Sequence, residues 1–105
     1  MKKQTMFRQG DVLLELVKDS GQTGKAILRE NGRLVLAHGE VTGHAHAVAT
    51  KEAEMFSADD QTFLRMIECG ELAHEEHGSI TLDRGLYRVT RQSEYTPEEI
   101  KNVAD

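Results

Sequence analysis

The sequence predicts an all-β domain, a small antiparallel barrel or sandwich with a short C-terminal helix. Three observations carry this reading. Short apolar and β-branched runs recur along the chain, glycine- and asparagine-bearing turn signals separate them, and a helical capping signature stands near the end. At 105 residues the chain reads as a single β-barrel domain over 1–105, large enough to bury roughly two thirds of its unfolded surface without disulfides or a structural metal.

Gly10-Asp11 opens the run Val12-Leu13-Leu14-Glu15-Leu16-Val17, whose apolar content suits a strand covered on both faces. A turn cluster, Asp19-Ser20-Gly21-Gln22-Thr23-Gly24, follows it. Ala26-Ile27-Leu28-Arg29 and Arg33-Leu34-Val35-Leu36-Ala37 then flank Asn31-Gly32, two residues that tolerate the positive φ of a type I′ turn, so a hairpin is expected here. Residues 44–49 alternate and predict a fourth strand. Residues 52–56 and 62–67 mix helix formers with strand formers and are read as strands around an Asp59-Asp60 turn. Ser79-Ile80-Thr81-Leu82 and Leu86-Tyr87-Arg88-Val89-Thr90 enclose Asp83-Arg84-Gly85, a second expected hairpin with glycine for the left-handed position. Near the C-terminus Thr96 can cap a helix, Pro97 takes its first position and Glu99 completes a capping-box spacing before Ile100 and Val103.

Eighteen acidic against thirteen basic residues give a net charge of -5, with the basic residues scattered. Such a surface disfavours nucleic acid, and the absence of tryptophan leaves little for base stacking. A small-molecule ligand, a metal or a protein partner fits better. No signal-peptide core or membrane span develops after Lys2 and Lys3, and the single Cys69 cannot form an intrachain disulfide, so a cytoplasmic location is expected. Cys69 itself reads as a small buried apolar group.

The chemistry lies in the histidines. Four of the five stand in two pairs, His44 with His46 and His74 with His77. Residues two apart on a strand share a face, so His44 and His46 can chelate one ion. His74 and His77, three apart, converge only in a turn, a bulge or a helical turn; an extended backbone would pair His77 with Glu75, or His74 with Glu76. The expected metal ligands are therefore His44, His46, His74 and His77, with Glu75 or Glu76 in reserve. Zinc is the first choice of metal, with iron, nickel and copper as alternatives. His-Glu-Glu-His lacks the spacing of the zinc-protease motif. Four protein ligands would close the site for a structural or sensing role, and three would leave a position for reactive water.

Plainer roles stand beside these. The histidines can be solvated strand residues, His38 a strand end, and Glu75 and Glu76 an ordinary acidic turn. Two further functions remain open: a metal-free hydrolase with histidine acid and base, and a non-catalytic interaction module using a sheet edge or the terminal helix. The sequence does not decide whether the protein is an enzyme.

Gly39, His44, His46 and the downstream His77, followed by Gly85 and Tyr87, resemble cupins, small β-barrels in which a His-x-His pair and a later histidine hold a metal. The glycine-to-histidine distance is one residue short of that pattern, Glu52 lies late, and a Pro-x-Gly turn is missing. The stretches Phe7-Arg8-Gln9-Gly10-Asp11-Val12, Gly39-Glu40-Val41-Thr42-Gly43-His44-Ala45-His46 and His74-Glu75-Glu76-His77-Gly78, with Glu94-Tyr95-Thr96-Pro97-Glu98, resemble a family of small uncharacterised bacterial and phage-associated proteins. That resemblance spans nearly the whole chain and implies no particular activity.

Overall fold

A computed structural model of the protein describes residues 4–39 and 44–91. These residues form ten strands: β1 (Met6–Gln9), β2 (Val12–Val17), β3 (Lys25–Ala26), β4 (Leu34–His38), β5 (Ala45–Val48), β6 (Ala53–Ala58), β7 (Gln61–Met66), β8 (Gly70–Ala73), β9 (Ile80–Leu82) and β10 (Gly85–Arg91). One sheet has the order β1-β2-β10-β7-β6-β3 and the other β4-β5-β8-β9. Every named pairing is antiparallel.

Both sheets are open, so the expected barrel does not close among the described residues. What joins them is a shared core. Val12, Leu14, Met55, Leu64, Met66, Tyr87 and Val89 from the larger sheet meet Leu34, Leu36, Val48, Leu72 and Leu82 from the smaller. Strand alternation explains the composition, since one side of each strand faces the other sheet. In β2, Val12 and Leu14 are fully buried while Leu13 and Glu15 are only partly covered, so the expected burial on both faces gives way to one inner and one outer face.

The turns decide which runs pair. Asp59 and Asp60 both adopt positive φ, 52° and 63°, and join β6 to β7 in a two-residue hairpin, as read from the sequence. Asn31 and Gly32 also adopt positive φ, 52° and 81°, with reciprocal backbone bonds between Glu30 and Arg33. The expected long hairpin ends at that single bridge, however. β3 pairs with β6 and β4 with β5, because burying Leu34, Val35 and Leu36 draws the second run into the other sheet. Asp83-Arg84-Gly85 likewise links two sheets. β9 pairs with β8, whereas β10 lies between β2 and β7, so the second expected hairpin is a crossover. There the buried Tyr87 donates its hydroxyl to the Asp83 carbonyl at 2.7 Å.

No helix occurs among the described residues, and the helix expected over Thr96, Pro97, Glu99, Ile100 and Val103 lies outside them. Nor is any helix among them long and apolar enough to cross a membrane. Cys69, expected inside, is exposed, because it sits in the bend between β7 and β8 rather than on an inward strand position.

Candidate functional site

Three chain segments meet at one end of the smaller sheet. The first is the end of β1 and its tight turn, Gln9-Gly10-Asp11, where Gly10 has φ 57°. The second is β5, whose alternation turns His46 to the same side as the core residue Val48 while Ala45 and Ala47 pack with Val35 on the other. Opposite the His46–Ala47 step the β4 ladder shifts register between Val35 and Ala37, a bulge of the kind that re-aims neighbouring side chains. The third is the bend from His74 to Gly78 that follows β8.

His46, His74 and His77 come together. One ring nitrogen from each lies within 4.8 Å of the others, and ring centroids are 4.3 Å apart for His46–His74, 4.7 Å for His74–His77 and 5.7 Å for His46–His77. A bend, rather than a regular strand, lets the last two reach one centre despite their three-residue spacing. His46 is buried, His74 half-buried and His77 exposed, so the group runs from the protein interior out to solvent.

His44 lies beside this trio without joining it. Its ring is 5.9 Å from that of His74, and its Nδ1 sits 2.8 Å from Glu76 Oε2, close enough for an ion pair but not aligned as a hydrogen bond. Glu75 points elsewhere. Its Oε1 accepts the Ala45 backbone N–H at 2.9 Å, and that bond is the main reason its carboxyl is held below the usual carboxylate range. Neither glutamate belongs to the three-residue group.

The surrounding depression, about 410 Å³, is lined by all five histidines together with Asp11 and Glu76; no lysine or arginine lines it among the described residues. A larger hollow, about 500 Å³, beside β3 and β6 is lined mainly by apolar residues such as Ile27, Leu28, Met55 and Phe56 and holds no comparable cluster of titratable groups. His38, read as a strand end, ends β4 and reaches the depression, where its Nε2 is 3.2 Å from Glu30.

Several contacts set the protonation of the rings. His46 Nδ1 is 2.8 Å from Gln9 Oε1, while Gln9 Nε2 donates to the carbonyls of Leu72 at 3.0 Å and Gly78 at 2.9 Å. The Glu76 backbone N–H donates to His74 Nδ1 at 2.9 Å, which puts the proton of a neutral His74 ring on Nε2. Burial, reinforced by repulsion from His74 and His77, pushes the His46 pKa below its ordinary 6.5 and favours the neutral ring.

Two glycines give the rings room. A Cβ on Gly10 would stand 2.9 Å from His77 Nε2 and 3.0 Å from His46 Cε1; one on Gly39 would stand 3.1 Å from His74 Nε2. Gly39 stands near the site, as its place before the first histidine pair suggests, whereas the places of Gln9, Gly10 and His38 beside it were not legible in the sequence. Gly10-Asp11 is the tight turn of the local β1–β2 hairpin, and only the contacts of Gln9 with Leu72, Gly78 and His46, far along the chain, bring that turn against the histidines.

Together these features define an open two-sheet β domain with a histidine-lined depression. The chain belongs to the family described as Domain of unknown function (DUF8820), which matches residues 8–92 and so includes Gln9, Gly10 and both histidine pairs. No curated protein and no solved structure matches it.

Proposed function

We propose that the protein binds one divalent transition-metal ion through His46, His74 and His77, with zinc as the first expectation and iron, nickel or copper as alternatives. The observation that carries this reading is the approach of three imidazoles, one of them buried and biased toward the neutral form that ligates a metal. Nitrogens around tetrahedral zinc lie at about 2.0–2.1 Å from the ion and hence roughly 3–4 Å from one another. A spread of 4.8 Å requires only a modest closure, which the exposed His77 can supply.

Three protein ligands leave a fourth position, and the depression gives a small molecule or water access to it. Asp11 and Glu76 in the lining favour an approaching cation, and Glu76 beside His44 places a proton-accepting pair at the rim. His44 therefore moves from the expected ligand set to the surroundings. The cupin resemblance supports a histidine metal site within a β fold, although the ligands proposed here are one member of the first pair and both of the second. A cytoplasmic setting suits the exposed Cys69 thiol.

The test is elemental analysis of protein purified without a histidine tag, together with a His46→Ala/His77→Ala double variant and a His38→Ala control. The wild type and the control should retain about one equivalent of metal and the double variant none. Equal retention in all three would remove the proposed ligand set.

A further inference from the structure

We propose that Gln9 is the positioning residue of the histidine site, fixing His46 with its proton on Nδ1 and holding the segment that carries His74 and His77. Only its effect on affinity rests on the metal-binding reading. The tautomer assignment rests on hydrogen-bond chemistry alone.

A primary carboxamide has two donors on nitrogen and an oxygen that only accepts. In Gln9 the nitrogen faces two backbone carbonyls, Leu72 O at 3.0 Å and Gly78 O at 2.9 Å, neither of which can donate. Reversing the amide would set its oxygen against both carbonyls and leave three acceptors without a proton. The oxygen must therefore face His46, and at 2.8 Å it requires a proton on Nδ1. A neutral ring carries one proton, so Nε2 bears the lone pair. That nitrogen borders Gly10: it lies 3.4 Å from the place a Gly10 Cβ would occupy, and His77 Nε2 lies 2.9 Å from the same place. The bare nitrogen of His46 is thus turned toward the shared centre.

Burial makes the assignment strict. Gln9 is 3% exposed and His46 5%, so water has little access to substitute for either partner. The same amide spans three elements, since it stands at the end of β1, takes one acceptor from β8 and the other from Gly78, the residue after His77. One side chain thereby sets both the orientation of the buried ring and the anchoring of the exposed one. Partners that orient a ligand in this way typically change metal affinity about 10–100-fold when removed.

The experiment uses metal-free, 15N-labelled full-length protein at about pH 8, above the usual imidazole pKa, with long-range 1H–15N correlation to identify the protonated nitrogen. Wild-type His46 should be protonated at Nδ1 and bare at Nε2. Gln9→Leu should lose this preference and bind added zinc about 10–100-fold more weakly. Gln9→Glu keeps an acceptor for His46 and should retain the Nδ1 proton. A wild-type His46 protonated mainly at Nε2 overturns the inference even if Gln9→Leu fails to fold, and so does a folded Gln9→Leu with unchanged tautomer and zinc affinity. A wild-type ring with the expected proton in a protein that binds no zinc would remove the metal reading and leave the positioning role standing.

Discussion

Replacing Gly10 by alanine separates backbone strain from intrusion into the site. Gly10 has φ 57°, where a side chain costs about 1–2 kcal/mol, and Gly32 at φ 81° carries a comparable penalty. The surroundings differ. A Cβ on Gly32 meets nothing within 4 Å, whereas one on Gly10 stands 2.9 Å from His77 Nε2 and 3.0 Å from His46 Cε1. His46 is held by Gln9 and cannot retreat easily, so the exposed His77 has to move away. Both variants should lose about 1–2 kcal/mol, with each kcal/mol lowering Tm by roughly 4–8 °C in a domain near this size. Zinc affinity, measured by competition with a chelating dye, should fall at least about tenfold in Gly10→Ala and stay near wild type in Gly32→Ala; a tenfold loss is about 1.4 kcal/mol. Equal zinc affinities in the two variants would refute the claim that Gly10 makes room for ligands.

Other expectations follow from the same contacts. His46 has a folded pKa below its ordinary 6.5, so between the two values the unfolded chain binds the extra proton. The metal-free protein should accordingly lose stability in urea titrations as pH falls below about 6.5, by at most about 1.4 kcal/mol per pH unit from this group, and a His46→Gln variant should lack that component. Zinc should also shift the Glu76 amide resonance strongly, because ligation by His74 through either nitrogen removes Nδ1 as an acceptor of that N–H; an unmoved resonance at saturation would exclude His74 from the ligands. Finally, Leu72→Ala should cost about 2–5 kcal/mol in chemical denaturation, since Leu72 is fully buried, while Leu28→Ala, at 82% exposure, should stay within about 0.5 kcal/mol.

Strand content was legible where apolar periodicity and turn chemistry agreed. Residues 53–58 and 61–66 mix propensities, yet Asp59-Asp60 pairs them as read, because both runs place large side chains on the same inner face. Asn31-Gly32 and Asp83-Arg84-Gly85 carried stronger local signals and still link different sheets. A turn fixes the chain reversal over a few residues, but partner choice beyond it depends on which sheet buries Leu34, Leu36 and Leu82, a long-range matter. β1 and β8 escaped notice because each is four residues long, with few buried positions to mark it. The histidine pairs stand out in the sequence, and a bend after β8 is one of the backbone paths that can unite His74 with His77. Which histidine of the first pair joins the trio depends on the local path around β5, and Gln9 became visible only once β1 lay against β8 and His46.

His46, His74 and His77 are proposed to hold one metal ion. X-ray absorption spectroscopy at the zinc edge, on tag-free protein loaded with one equivalent of zinc, tests it most directly. Three imidazole nitrogens at about 2.0–2.1 Å and one further light ligand are expected, with the imidazole signal falling by one in each single alanine variant of the three histidines. Zinc that passes through a desalting column unbound, or an imidazole count unchanged in His46→Ala, would contradict it.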